Sequence, residues 1–186
     1  MRKLGHHEIA ERRHSPQELQ KMERFPIFVL LDDVRSLYNV GSIFRSADGA
    51  RVTKLILTGF TPPPPRKEIE KTALGATATV PWEQVRDPLT AIASLKRNGV
   101  RICLVEQTDS SRPYDTLLAA DLPLCLVVGN EINGIREEIV AVADLAIDIP
   151  MYGMKQSLNA AVAFGIAAFA AARVAARAGG PLTPRR

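Results

Sequence analysis

The chain has 186 residues with 24 Lys and Arg against 20 Asp and Glu, a formal charge of +4 at pH 7 and a pI near 9.3. This length suits one α/β domain with short appendages, able to bury a core without disulfides or a structural metal. Two cysteines inside apolar runs, and three histidines confined to the first fourteen residues, argue against a disulfide framework and against zinc, and fit a reducing cytoplasm.

Residues 1–24 are hydrophilic and mixed in charge. Ser15-Pro16-Gln17-Glu18 reads as a helix start, with Ser15 as N-cap and Glu18 closing a capping box; this short helix either packs on the domain or reaches outward. With so polar an N-terminus, no secretory signal is expected. Pro26-Ile27-Phe28-Val29-Leu30-Leu31 predicts a buried strand ending at Asp32-Asp33. A helix is predicted over 39–48 with Asn39 as N-cap, and Gly41 inside it costs stability that alanine would spare. The glycine therefore suggests close approach to the backbone. Arg45, among Ile43, Phe44 and Ala47, needs an anionic partner or must extend into solvent.

A second strand is predicted at Lys54-Leu55-Ile56-Leu57, before four prolines, Pro62 to Pro65, that stiffen the chain ahead of Arg66 and Lys67. That segment reads either as a basic prong or as a spacer. Helical spacing follows over 68–74 and 88–97, and apolar strands over 100–105, 124–128 and 146–149. Continuously apolar strands alternating with helical patterns argue for a mostly parallel, Rossmann-like sheet with helices on both faces.

The turn Gly129-Asn130-Glu131-Ile132-Asn133-Gly134 follows the 124–128 strand directly. Its two glycines permit a sharp turn and a close ligand. Glu131 either orients polar partners or serves as an N-terminal charge for a helix over 136–142. Ile149-Pro150-Met151 ends the last strand, and Tyr152 to Gln156 leads to Ser157-Leu158-Asn159. Ser157 is a natural N-cap for an alanine-rich helix over 157–178, with Leu158, Val162, Ile166 and Phe169 along one stripe to be buried against the sheet or a partner subunit. The thirteen-residue apolar run over 160–172 falls short of the ~20 residues of a membrane span, so a soluble protein is expected. From 151 to 186 there are five basic residues and no acidic ones. This suits a polyanionic partner, or equally a solvated tail matched to a helix dipole.

Taken together, Asn39-x-Gly41-x-x-x-Arg45-x-Ala47, the 129–134 turn and Ile149-Pro150-Met151 with Ser157-Leu158-Asn159 resemble the signature of the SpoU (TrmH-type) RNA ribose 2′-O-methyltransferases of the SPOUT superfamily, over residues 28–172. The resemblance implies an S-adenosylmethionine cofactor, an RNA substrate (tRNA ahead of ribosomal RNA), a C-terminal deep trefoil knot and a homodimer with the knotted regions facing each other. It implies catalytic roles for Asn39, Arg45, Glu131, Ser157 and Asn159, and cofactor contacts from Val105, Glu106, Gly129, Ile149, Met151 and Leu158. RNA contacts fall to Arg45, Arg66, Lys67 and Lys155. The family assigns Arg45 as the base; a guanidinium with a pKa above ~12 suits a phosphate grip and alkoxide stabilisation better. The organisation expected is an N-terminal extension (1–24), a SPOUT domain (25–178) and a basic tail (179–186). An inactive RNA-binding protein of the same fold is the alternative from another class. A nicotinamide enzyme is excluded, because Asp32-Asp33-Val34-Arg35-Ser36 holds no glycine-rich turn after the first strand.

Overall fold

The computed structural model describes residues 1–11 and 15–179; the expected tail from residue 180 on lies outside them. Among the described residues, seven parallel strands form one sheet in the order β3-β2-β1-β6-β4-β7-β5. In chain order they are β1 (Phe25–Asp32), β2 (Val52–Thr58), β3 (Trp82–Val85), β4 (Arg101–Val105), β5 (Arg112–Pro113), β6 (Leu124–Val128) and β7 (Leu145–Asp148). The helices are α1 (His6–Glu11), α2 (Pro16–Lys21), α3 (Leu37–Gly49), α4 (Lys67–Ala73), α5 (Pro88–Arg97), α6 (Glu137–Val140) and α7 (Ala160–Arg177). The two edge strands β3 and β5 and the helix α1 were not among the expected elements.

The central strands are apolar at every position because both of their faces are covered. Val29, Leu31, Cys103 and Leu126 point into a core shared with α3, α4 and α7. Leu30, Ile102, Cys125 and Val127 point into a second core under α5 and α6. Burying each such side chain contributes about 1.5–3 kcal/mol, so the sheet is the rigid frame of the molecule.

Helix α3 starts before Asn39. Ser36 is its N-cap, its Oγ accepting from Asn39 N at 3.3 Å, which leaves the Asn39 side chain unoccupied by capping. The close approach expected at Gly41 is made by α4: a Cβ there would run into Ile69 O and Thr72 Oγ1, where α4 crosses α3. Helix α7 likewise begins at Ala160, capped by Asn159 rather than by Ser157. Its buried face is Phe164 with Ala161, Ala167, Ala168, Ala171, Ala172 and Ala175, packed on α3 and β1. Alanines allow that close approach. The expected stripe is not the buried one: Val162 is 50% and Phe169 53% exposed. With 18 residues and a mean hydropathy of 1.5, α7 is long and apolar enough to cross a membrane by composition, which the shorter run over 160–172 did not suggest; here its alanine face is in the core.

Within the N-terminal extension, α2 packs on the domain at the end of the sheet opposite the strands' C-termini. The capping box of α2 forms, with Ser15 N donating to Glu18 Oε2 at 2.7 Å and Glu18 N to Ser15 Oγ at 3.2 Å. The guanidinium of Arg51, just ahead of β2, donates to the carbonyls of Leu19 and Met22.

Strand β7 lies between β4 and β5, so residues 106–111 bridge across its C-terminal end. The chain leaving β7 passes this bridge on its way to α7, where Gln107 Nε2 donates to Gln156 O at 2.6 Å. This insertion is consistent with the threaded C-terminus implied by the resemblance.

Candidate active site

In a parallel sheet the strands' C-terminal ends share one edge, and ligand clefts form there. Here β4, β6 and β7 end around a cleft of about 300 Å³, within the range of small-molecule sites. Val105, Val128, Ile147, Ile149 and Leu158 give it apolar walls, while Glu106, Gln107, Glu131 and Ser157 supply polar groups. All six expected cofactor positions, Val105, Glu106, Gly129, Ile149, Met151 and Leu158, line this cleft, as do Glu131, Ser157 and Asn159.

The turn after β6 is locked from within. Asn130 and Gly134 exchange backbone hydrogen bonds of 3.0 Å each. Asn130 Oδ1 accepts from Ile132 N at 2.9 Å and Asn133 N at 3.1 Å, while its Nδ2 donates to Asp33 O at 2.8 Å. A Cβ on Gly129 would lie 2.6 Å from Gly134 O, so this glycine lets the turn close on itself while its backbone lines the cleft. Gly134 has φ +68°, the left-handed region that favours glycine, and a Cβ there would push aside the Glu106 carboxylate, whose Oε2 would lie 2.7 Å away.

Glu131 ties this turn to the start of α3. Its Oε2 accepts from Arg35 N at 3.0 Å, and its Oε1 from Ser36 N at 3.0 Å and Asn39 Nδ2 at 2.8 Å. The carboxylate thus sits at the N-terminus of α3, not of α6, where helix dipole and free N–H groups favour a negative charge. Burial raises its pKa, but the hydrogen bonds from Arg35, Ser36 and Asn39 outweigh it and hold the group below its ordinary value. Asn39 is only 9% exposed, and its Oδ1 accepts from Asn159 Nδ2 at 3.0 Å. Asn159 Oδ1 meanwhile accepts from Ala161 N at 3.0 Å and Val162 N at 3.3 Å. One chain of hydrogen bonds therefore joins three segments far apart in sequence, with each amide used at both ends.

Arg45 stands apart. It lies six residues beyond Asn39, about 9 Å further along α3, on the exposed face and not on the cleft wall. Among the described residues its guanidinium has no hydrogen-bond or ion-pair partner. One turn on is Gly49, where a Cβ would come 3.2 Å from the Phe169 ring, so Arg45 precedes by one turn the point where α3 meets Phe169. Arg66, Lys67 and Lys155 are exposed and off the cleft wall.

The sequence reading passed over Asn130, Gln107 and the pair formed by Asp32 and Arg136. Asp32 is fully buried. It accepts from Arg136 Nε at 2.9 Å and from the Arg136 backbone N–H at 3.3 Å, pinning the end of β1 to the segment before α6. The Asp32 hydrogen bond raises the Arg136 pKa. The only sequence signal was a charged residue closing an apolar strand. Cys103 and Cys125 are buried and free; burial pushes the Cys103 thiol up to about 12 and the Cys125 thiol up as well, so neither is a thiolate at neutral pH. Among the described residues, no group of three or more His, Cys, Asp or Glu is placed to hold a metal ion.

A model of the SpoU rRNA Methylase family matches residues 26–169. A TrmH-family tRNA/rRNA methyltransferase assignment belongs to a Staphylococcus haemolyticus protein 31% identical over 86% of this chain and 64% of its own. The Aquifex aeolicus tRNA (guanosine(18)-2′-O)-methyltransferase is 34% identical over 84% of this chain and 74% of its own. Among solved structures, the A. aeolicus TrmH/SpoU tRNA modifying enzyme superimposes with a TM-score of 0.80 at 31% identity, covering 91% of this chain and 86% of that one. The AdoMet-bound rRNA methyltransferase from Sinorhizobium meliloti gives 0.74 at 30% identity, covering 87% and 61%. The chain thus spans less than two thirds of the staphylococcal relative's length.

Proposed function

The chain belongs to the SpoU methylase family, and from that membership we propose that it transfers a methyl group from S-adenosylmethionine to a ribose 2′-hydroxyl of RNA, with tRNA as the substrate. The observation that carries this reading is the convergence of Asn39, Glu131 and Asn159 beside the cleft at the ends of β4, β6 and β7.

The cleft fits a nucleoside-bearing cofactor. Its walls combine apolar surface for an adenine ring with the Glu106 carboxylate for ribose hydroxyls, and Gly134 leaves the space beside Glu106 clear. The bound cofactor supplies an electrophilic methyl group on a sulfonium. The chain's own residues do the rest. Backbone groups of Ile149 and Leu158 read the base edge. The Glu131–Asn39–Asn159 chain holds the wall of the cleft rigid, which matters because positioning supplies much of the rate of a transfer needing neither metal nor covalent intermediate. Ser157 presents its hydroxyl at the cleft. Arg45 neutralises the phosphate next to the reacting ribose and stabilises negative charge developing on the 2′-oxygen, while the proton leaves to that phosphate or to water.

A second copy of the chain completes the site in this reading. The apolar, exposed Val162 and Phe169 of α7, with an unpartnered Arg45 on α3, suit a homodimer packed through α3 and α7, with Arg45 at the seam. Residues 25–178 form the catalytic SPOUT domain with its C-terminal knot, and Arg66, Lys67 and Lys155 extend the RNA contact. A reducing cytoplasm suits the two buried free thiols.

Ribosomal RNA is the second reading, favoured by the likeness to the S. meliloti rRNA methyltransferase. Incubation with labelled S-adenosylmethionine and total RNA, followed by nucleoside mapping, separates them. Label in a 2′-O-methylated tRNA nucleoside is expected, label in ribosomal RNA moves the substrate, and label in no RNA despite cofactor binding overturns the enzymatic reading.

A further inference from the structure

A second cavity, of about 440 Å³, opens beside the cleft and shares Asn130 and Gly134 with it as walls. Phe60 stands at its side, 86% exposed. Isolated apolar residues on a surface are ordinary; what distinguishes this one is its mount. Gly59, at φ +59°, turns the chain, and Phe60 N donates to Asp33 Oδ1 at 2.7 Å. The buried Thr61 hydroxyl donates to Leu31 O and accepts from Val34 N, both at 3.0 Å. The ring is therefore presented on a backbone fixed to the end of β1, so little ordering remains to be done when something docks on it.

The charges around it fit a base better than a phosphate. Arg136 is committed to Asp32, and Glu137 balances Arg35, whose guanidinium has no partner among the described residues. The cavity thus offers an aromatic face with hydrogen-bonding groups from Asn133 and Glu137, without excess positive charge. Further cations lie outside it: Arg86, whose carbonyl accepts from Gly59 N at 3.1 Å, and Arg66 and Lys67 at the far end of the same loop. Stacked base inside and phosphates outside is the usual division in single-stranded RNA recognition.

We propose that Phe60 is a stacking platform for an unpaired nucleobase of the RNA, next to the nucleotide presented at the cleft. This rests on the RNA-methyltransferase reading. The test compares Phe60→Leu, which keeps bulk but loses the ring face, with Phe60→Trp, which keeps a face and adds a fluorophore. Binding of each full-length variant to a mixed-sequence single-stranded oligoribonucleotide is titrated, with the parent supplying the Trp82 background, and cofactor affinity is measured by calorimetry as a check on the fold. We expect Phe60→Leu to bind RNA about ten- to hundredfold more weakly with cofactor affinity unchanged, and the added fluorescence of Phe60→Trp to be quenched by the oligonucleotide. Parent-like RNA affinity in Phe60→Leu, or no quenching in Phe60→Trp, overturns the platform; quenching by an acidic protein but not by RNA overturns it too. If the parent methylates no RNA yet the quenching occurs, the platform stands and the catalytic reading falls. If Phe60→Leu binds and methylates RNA as the parent does, the reverse holds.

Discussion

The ends of β4, β6 and β7 differ sharply from the outer face of α3 and α7. In the first region nearly every polar group is used: Glu131 accepts three hydrogen bonds, Asn130 works with both ends of its amide, and Asn39 bridges two segments. In the second, Arg45 has no partner among the described residues, and Val162 and Phe169 lie open. Asn39, which is buried, must find its partners within the chain, whereas an exposed cation or apolar stripe can leave them to another molecule. One chain therefore builds its cleft from its own residues, and the proposed function assigns the neighbouring face to RNA and a second copy.

The largest effect should come from Arg45→Ala. Loss of a group that stabilises developing charge lowers turnover about 10²–10³-fold, while cofactor affinity, set by the finished region, stays near that of the parent. Single-turnover methylation and calorimetry measure the two separately. A parallel fall in both would place Arg45 in the cleft and erase the distinction. Arg45→Lys should recover little, because an ammonium lacks the planar fork of donors; near-native turnover would reduce Arg45 to a simple cation.

Next in size is Phe169→Glu, which puts a charge on the open stripe. Light scattering should give the mass of one chain where the parent gives two, with turnover lost and cofactor binding retained. An unchanged mass would remove the argument for a second copy on this face. The complementary change, Gly134→Ala, strikes the finished region. It forces a left-handed conformation costing roughly 1–2 kcal/mol and crowds Glu106, so cofactor affinity should fall about tenfold with the assembly intact. Unaltered affinity would argue against Glu106 as a cofactor contact.

The finished region was legible in a particular way. Strands β1, β2, β4, β6 and β7 announced themselves as apolar runs because burial on both faces leaves no other composition. The edge strands β3 and β5 did not: Trp82-Glu83-Gln84-Val85 mixes polarity, and Arg112-Pro113 is too short and carries a proline. Both caps were displaced by two or three residues, since Ser and Asn cap equally well and periodicity cannot choose between Ser36 and Asn39, or between Ser157 and Asn159. That choice decides the site, because Asn39 reaches Glu131 and Asn159 only when Ser36 does the capping. The close approach expected at Gly41 is made by α4 at the α3–α4 crossing, a tertiary partner that the sequence does not name. The pairing of Asp32 with Arg136 spans 104 positions and was invisible for the same reason. The six cleft positions came from family resemblance, not from pattern.

The smallest effect tests the hinge between the two regions, the Glu131 carboxylate that fastens the turn after β6 to α3. Its folded-state pKa lies below the ordinary 4.5 because Arg35, Ser36 and Asn39 donate to the charged form. A depressed carboxylate contributes stability that is complete above its unfolded pKa and is lost as pH falls through the folded one. Glu131→Gln should therefore lower the thermal midpoint at pH 7, and the gap to the parent should close as pH drops below about 4. Solvent at this exposed site limits the difference to about 1 kcal/mol or less. The amide also offers one acceptor oxygen where the carboxylate offers two, so an N–H of Arg35 or of Ser36 and Asn39 loses its partner. Amide exchange at the start of α3 should then quicken in Glu131→Gln while exchange in β6 does not. Equal exchange at α3 in both proteins, or a gap that widens in acid, would mean that the carboxylate does not hold the two regions together.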